Sequence, residues 1–215
     1  LSSYRAQRRG GKGRAGMATR EEDFLAQVFV VNTHTPVLFF TSRGMVHQLK
    51  VYRLPLGTPQ ARGKPMINLL PLAGGETIST LMPLPADEAA RLRGHVIFAT
   101  SKGNVRRNAL SDFLNIKANG KIAMKLEEEG ERLIAVTPCA DTEDVLLATR
   151  SGKCIRFAVE EVRVFTGRTS TGVRGIKLAG GDDVISMSML RHAEFGIEEL
   201  PVPRSVAPRP PLRRV

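Results

Sequence analysis

The chain has 215 residues, 42% of them hydrophobic, enough to bury a core in one large domain or two small ones, which excludes a wholly disordered chain. Lys and Arg outnumber Asp and Glu by 32 to 21, giving a formal charge of +11 and a pI near 10.3, a balance that points to a polyanionic partner. No apolar run reaches the roughly eighteen residues that span a bilayer, and the N-terminus has no apolar core of a secretory signal, so no membrane partner is expected.

The chain begins with a loop, Gln7-Arg8-Arg9-Gly10-Gly11-Lys12-Gly13, three cations and three glycines with no acid. Glycines let a backbone approach phosphates closely, and the cations neutralise them, so the stretch reads as a clamp on a nucleic-acid backbone. A strand-like stretch, "RAGMATREEDFLAQVFVV", follows.

The next element is Val37-Leu-Phe-Phe-Thr-Ser-Arg-Gly44, and it recurs as Val96-Ile-Phe-Ala-Thr-Ser-Lys-Gly103 and Val145-Leu-Leu-Ala-Thr-Arg-Ser-Gly152, the starts lying 59 and 49 residues apart. Each is an apolar run, a turn closed by Gly and a second strand-like run, the pattern of a β-hairpin whose glycine takes a positive φ. A second unit alternates with it. It runs from Arg62 through "GKPMINLLPL" and "AGGETIST", from Asn119 through "GKIAMKL" and "EEEGERLIAV", and from Arg174 through "GIKL" and "AGGDDVISM". Each copy predicts an alternating strand, an acidic or Gly-rich turn and another strand. The stretch 13–31 is a weaker copy. Residues 86–94 predict one short helix ended by Gly94.

Periods of this length built from four strands indicate propeller-like blades in an all-β fold, here an incomplete array of about three to four. The chain enters in the middle of a repeat, so an exposed sheet edge is expected in the first blade. Residues 1–194 form the blade domain. From 195 the pattern gives way to a Pro- and Arg-rich tail, 195–215, expected to be disordered.

Chemistry candidates are few. Gly11 to Gly16 spells G-x-G-x-x-G, but the dinucleotide fingerprint needs a buried strand before it and a helix after it, and neither is predicted. No glycine-rich stretch ends in a Walker G-K-[ST]. His34, His47, His95 and His192 are scattered without metal-ligand spacing, and no catalytic set stands in motif context. Cys139 and Cys154 lie in apolar runs as small buried hydrophobes of a reducing cytosol. The acids at Glu127–Glu129 and Asp182-Asp183 read as solvated turns, as do those at 21–23.

What does recur is positive charge. Arg43, Lys102 and Arg150 occupy the same hairpin turn. Lys50, Arg106, Arg107 and Arg156 lie on the strand that follows, and Arg62, Lys64, Lys121, Arg174 and Lys177 mark the next turn. On a rotating array such residues form a basic rim, a curved track for a bent polyanion held through its phosphates. With no Trp and two Tyr, base stacking is poorly supported, and backbone-held duplex DNA fits better.

The heptapeptide "QRRGGKG" resembles, at every position, the signature heptapeptide of the C-terminal domain of the DNA gyrase A protein, the GyrA box. "REEDFLAQVFVVNTHTPVLFFTSRGMVHQLKVYRLP" and "RTSTGVRGIKL" resemble that domain's blades, and the similarity runs from Leu1 to about His192. The resemblance implies a β-pinwheel whose four-stranded blades exchange strands. It implies wrapping of duplex DNA around a basic perimeter, in support of ATP-dependent negative supercoiling by a type II topoisomerase. The implied partners are double-stranded DNA and the rest of an A2B2 holoenzyme of gyrase A and gyrase B, in the bacterial cytoplasm with the nucleoid. The nucleophilic tyrosine and the ATPase, with the ATP and Mg they use, belong to other parts of that enzyme, so no cofactor and no activity of its own are expected of this chain. Fewer blades than the family domain, and a box without its preceding hairpin, read as a fragment or the product of a truncated or frame-shifted gene. The rival readings are a topoisomerase IV-type C-terminal domain, which lacks an intact heptapeptide, and a protein-interaction propeller, which needs no basic rim.

Overall fold

The structure, a computed structural model, describes residues 9–11, 13, 19, 24–58 and 61–193. In chain order the first strands are β1 (Pro36–Thr41), β2 (Met45–Lys50), β3 (Ile78–Pro83), β4 (His95–Thr100), β5 (Asn104–Ala109) and β6 (Lys121–Ile122). Then come β7 (Leu133–Cys139), β8 (Glu143–Thr149), β9 (Cys154–Ala158), β10 (Val164–Phe165), β11 (Val173–Arg174) and β12 (Val184–Arg191). The expected helix is α1 (Glu88–Arg93), started by Asp87, whose carboxylate accepts from the Ala89 and Ala90 amides, and closed at Gly94. The tail 195–215, and most of 1–23, lie outside the described residues.

The three recurrent apolar runs are β1, β4 and β8, each at the heart of an antiparallel sheet. They are apolar at consecutive positions, not alternate ones, because both faces of each sheet are covered. Leu38 and Phe40 of the first sheet meet Val96 and Phe98 of the second, and an aromatic trio, Phe40, Phe98 and Phe113, has centroids 5.6 to 5.9 Å apart. The other face of β4, Ile97 and Ala99, packs on Val145 and Leu147 of the third sheet. The sheets are therefore blades stacked face to face, with β3, β7 and β12 as the first strand of each and the hairpin strands following. The blades form an arc that does not close.

The fourth strand of a blade comes from the next repeat. β6 pairs with β2 (Val46 opposite Lys121), and β11 pairs with β5 (Val105 opposite Val173). At the hairpin turn the Gly44 carbonyl accepts from the Ala123 and Met124 amides, at 2.7 and 3.1 Å, and the Gly103 carbonyl from Gly175 and Ile176, at 2.8 and 3.3 Å. Both glycines have positive φ, and a Cβ on Gly44 would lie 2.2 Å from the Met124 carbonyl oxygen. A second tie repeats with them. The Leu133 amide donates to the Ser42 carbonyl at 3.0 Å, and the Val184 amide to the Ser101 carbonyl at 2.8 Å.

Two expectations change. The first blade has no bare edge. Its sheet runs β3-β1-β2-β6, and the short sheet is the third, β12-β8-β9, because strands are handed backwards along the chain and the shortfall falls on the last blade. The strand expected over 62–72 is instead a bridge residue at Arg62 and a 3-10 turn at Met66–Asn68. Among the described residues no hairpin precedes blade 1 to receive it, and Leu69, Leu70 and Leu72 fold onto Val37 and Phe39.

Gly44→Ala and Gly152→Ala test the handover. Both replace a glycine at positive φ, which costs about 1–2 kcal/mol, but nothing lies within 4 Å of a Cβ on Gly152. Urea unfolding should show Gly152→Ala destabilised by about that amount and Gly44→Ala by clearly more, about 3 kcal/mol. Equal losses would mean that the Gly44–Met124 approach constrains nothing.

Candidate nucleic-acid interface

The residues proposed for a basic rim divide into three groups. Arg9, Lys50, Arg62, Lys64, Arg174 and Lys177 are exposed. Arg43, Lys102, Lys121, Arg150 and Arg156 reach solvent but are tied to neighbours. Arg43 donates to the Gly74 carbonyl at 2.7 Å, and Lys121 to the Asn115 carbonyl at 2.6 Å. Lys102 and Arg150 converge on Asp183 at 3.4 and 3.9 Å, while Arg156 donates to Asp144 at 2.6 Å. Of the heptapeptide, Arg9, Gly10, Gly11 and Gly13 are described and exposed, Gly10 and Gly13 at positive φ, while Gln7, Arg8 and Lys12 lie outside the described residues.

Arg106 and Arg107 are the correction. At 0% and 5% exposure they are interior residues, and neither is part of a surface track. Arg106 sits on β5 beneath the loop that delivers β11. Its NH1 donates to the Arg168 and Ser170 carbonyls, its NH2 to those of Gly167 and Ala123, and its Nε to Asn108, while Phe98 lies 5.6 Å away beneath the guanidinium. All five donors are used, which makes an interior cation tolerable. Burial lowers its pKa to about 10, so it stays charged at neutral pH. Arg107 donates to Asp141 and to the Val159 carbonyl, closing the next repeat's loop against β5. The sequence reading took two adjacent cations for a surface pair because alternation of β5 puts one of them outside only if one face is wet. Here neighbouring repeats cover both.

The pairings also shift the register of the rim. Gly120 and Gly172, both at positive φ, lie against Val46 and Val105 respectively, so Gly120-Lys-Ile-Ala-Met-Lys-Leu126 and Gly172-Val-Arg-Gly-Ile-Lys-Leu178 are the equivalent stretches. Lys177 thus matches Lys125, not Lys121. Lys125 is exposed beside Glu127, and it was missed, although the shared Lys-Leu after a buried Met or Ile was a legible signal. Lys153 and Arg163 are further exposed cations of the outer segments, Arg163 lying 4.3 Å above the Phe165 ring.

The acids are less solvated than expected. Glu76, Glu131 and Asp182 occupy one turn position in successive repeats, each with its amide bonded three residues back. Asp182 accepts from the Ser151 hydroxyl at 2.5 Å and the Ser151 amide at 3.0 Å, and these bonds lower its carboxyl to about 2. Burial opposes ionisation of Glu131, but bonds from Thr100, Asn104 and the Glu127 and Glu128 amides outweigh it and hold its carboxyl below the usual range. Glu127 to Glu129 are exposed as expected. Cys139 is buried, its thiol raised to about 12 by burial, whereas Cys154 is exposed, contrary to expectation, because nothing covers β9.

An arc of strand-exchanging four-stranded blades with cations on its turns and outer segments defines a β-pinwheel. The family model described as "DNA gyrase C-terminal domain, beta-propeller" matches residues 1–32, 35–85, 94–140 and 143–191, and the chain belongs to that family. The last three stretches coincide with the repeats that supply the three blades. Among curated relatives, the DNA gyrase A protein of Rickettsia bellii is 54% identical over 93% of this chain, and that of Escherichia coli 42% identical over 89%. The chain spans about a fifth of the length of these relatives, 22% and 21% respectively. A solved C-terminal domain of DNA topoisomerase IV superposes with a TM-score of 0.70 at 23% identity, over 82% of this chain and 54% of that one. The C-terminal domain of DNA gyrase A gives 0.58 at 21%, over 86% and 58%. At such identity these two show the fold alone.

Two outcomes check the assignments. Arg106→Leu leaves the carbonyls of Ala123, Gly167, Arg168 and Ser170 without their donor, so thermal and urea unfolding should show a loss of about 3 kcal/mol or more. Loss below about 0.5 kcal/mol would return Arg106 to the surface set. Asp182 and Glu131 take up protons at lower pH in the folded chain than in the unfolded one. The stability they contribute is complete above the unfolded-chain carboxylate pKa near 4 and is lost as pH falls through about 2. Asp182→Asn should therefore flatten the acid limb of the stability–pH curve between about 4 and 2.

Proposed function

We propose that this chain binds duplex DNA along its exposed cations and wraps it, acting as the DNA-wrapping C-terminal domain of a gyrase A protein within an A2B2 holoenzyme with gyrase B. Wrapping by this domain supports ATP-dependent negative supercoiling, with cleavage, ATP and Mg handled in other parts of the enzyme. The observation that carries the reading is the placement of exposed Lys50, Lys64, Lys125, Lys153, Arg174 and Lys177 on outer strands and adjoining segments of successive blades, in a chain of the gyrase family. Successive blades are related by a similar turn, so these charges follow a curve. Each neutralises phosphate and releases counterions without reading bases.

The intact heptapeptide supports gyrase over the topoisomerase IV alternative, as do curated relatives at about half identity over most of the chain. A scaffold without a nucleic-acid role leaves the +11 charge without a partner. The heptapeptide would fix one end of the DNA path, while cations on the blades supply most of the attraction.

Two measurements test this. Duplex affinity should fall with salt at a log–log slope near −0.9 per phosphate contacted, and single strands should bind more weakly. Replacing Gln7 through Gly13 with alanines in a complete gyrase carrying this domain should reduce that slope by up to about 3 while abolishing supercoil introduction, since bending costs several kcal/mol that contacts along the whole arc must offset. Relaxation and cleavage should persist. Equal numbers of trapped positive supercoils around intact and substituted proteins, when nicked circles are closed, would sink the anchoring role.

A further inference from the structure

Blade 3 lacks what blades 1 and 2 receive. Among the described residues no strand pairs with the outer edge of β9, and the Gly152 and Arg150 carbonyls accept no hydrogen bond, although the equivalent carbonyls of Gly44, Gly103, Ser42 and Ser101 all do. The gap is visible in the side chains too. Ile155 is 37% exposed where its counterparts His47 and Arg106 are covered, and Leu146 on the outer face of β8 is only half-buried.

The other end of the arc carries a matching, unspent strand. Gly63-Lys-Pro-Met-Ile-Asn-Leu69 repeats the spacing of Gly120 to Leu126 and Gly172 to Leu178: Gly first, Ile or Met fifth, Leu seventh. The fifth residues Met124 and Ile176 are 1% and 8% exposed, whereas Ile67 is 61% exposed. Pro65 does not bar pairing. The Lys121 position lies opposite Val46 and the Ala123 amide reaches Gly44, so alternate amides point at the acceptor edge. Pro65 falls at the Ile122 position between them, where no donor is needed. Ile78 also stands where Leu133 and Val184 stand, the residues whose amides reach Ser42 and Ser101.

We propose that β9 is an acceptor edge for a second copy of this chain, which adds its Gly63–Leu69 segment as the fourth strand of blade 3 and joins the two arcs head to tail. The N–H groups of Met66 and Ile67 take the Gly152 carbonyl, and that of Ile78 takes the Arg150 carbonyl. The Met66–Asn68 turn opens to do so, and Ile67 becomes buried against the third blade. An unpaired edge of this kind is an open template, and the repeat itself supplies the segment whose register fits it. This inference stands on the strand pairings and not on DNA binding.

The register places Lys64 opposite Cys154, because Cys154 follows Gly152 as Val46 follows Gly44. Paired residues at such positions have Cα atoms about 5.5 Å apart, within disulfide reach. The test is Lys64→Cys in the full 215-residue chain, with native Cys154 exposed and Cys139 buried. Mild oxidation at micromolar concentration should give reducible dimers and larger species on a gel. They should form about tenfold or more faster than in a Lys125→Cys control, whose cysteine is exposed on an already paired segment. Adding Ile67→Asp to Lys64→Cys should abolish the difference, and circular dichroism should confirm that each variant remains folded. Cross-linking no faster than the control, or unaffected by Ile67→Asp, would overturn the proposal.

Discussion

The structure depends on one contact made twice: the carbonyl of a hairpin-turn glycine accepting two amide protons from the repeat that follows. At Gly44 and Gly103 the chain can approach this closely only because no Cβ stands in the way. The contact turns a row of three-stranded sheets into a linked array, since each blade is completed by residues far along the chain from its own hairpin. Packing then follows. Once the fourth strand is fixed, Met124 and Ile176 drop into the clefts between blades, and the apolar runs of β1 and β4 are covered on both faces.

Charge is used in two physically different ways. Arg106 spends its five donors on backbone carbonyls from the exchanged segments and on Asn108, and it is as buried as Phe98, so it holds the handover together. The cations at the hairpin turns lean on carbonyls and carboxylates of the acidic turns, which moderates their field. What is left for a polyanion is the set on the outer segments, Lys125 and Lys177 foremost among equivalent positions. A long-range attraction needs solvent-facing charge, whereas fold stability needs satisfied donors, and one chain formula of +11 conceals the division.

The repeats pass strands in one direction, and this polarity explains the asymmetry of the arc's ends. Blade 1 is complete because blade 2 follows it, whereas blade 3 shows a bare edge and an exposed Cys154. The segment 62–72, with no hairpin before it among the described residues to receive it, covers the outer face of blade 1 with Leu69, Leu70 and Leu72. The same residues thus serve as a strand in one repeat and as a cap in another, according to what stands beside them.

The sequence by itself determined the hairpins, the all-β class, the short helix, the positive-φ glycines and the family, because each is written in local spacing: four apolar residues, a turn and a Gly, or a heptapeptide intact at every position. It could not tell which Lys matches which. Gly120-Lys121 and Gly175-Ile-Lys177 look alike in the chain, yet pairing with β2 and β5 sets Lys177 against Lys125. Nor could it separate Arg106 and Arg107 from the surface cations, or see that Asp182 is held by Ser151 at a hairpin turn. Those outcomes rest on which blade covers which face and whose carbonyl meets whose donor. Burial and hydrogen-bond satisfaction at these positions are properties of neighbours distant in the chain, so only the tertiary structure decided them.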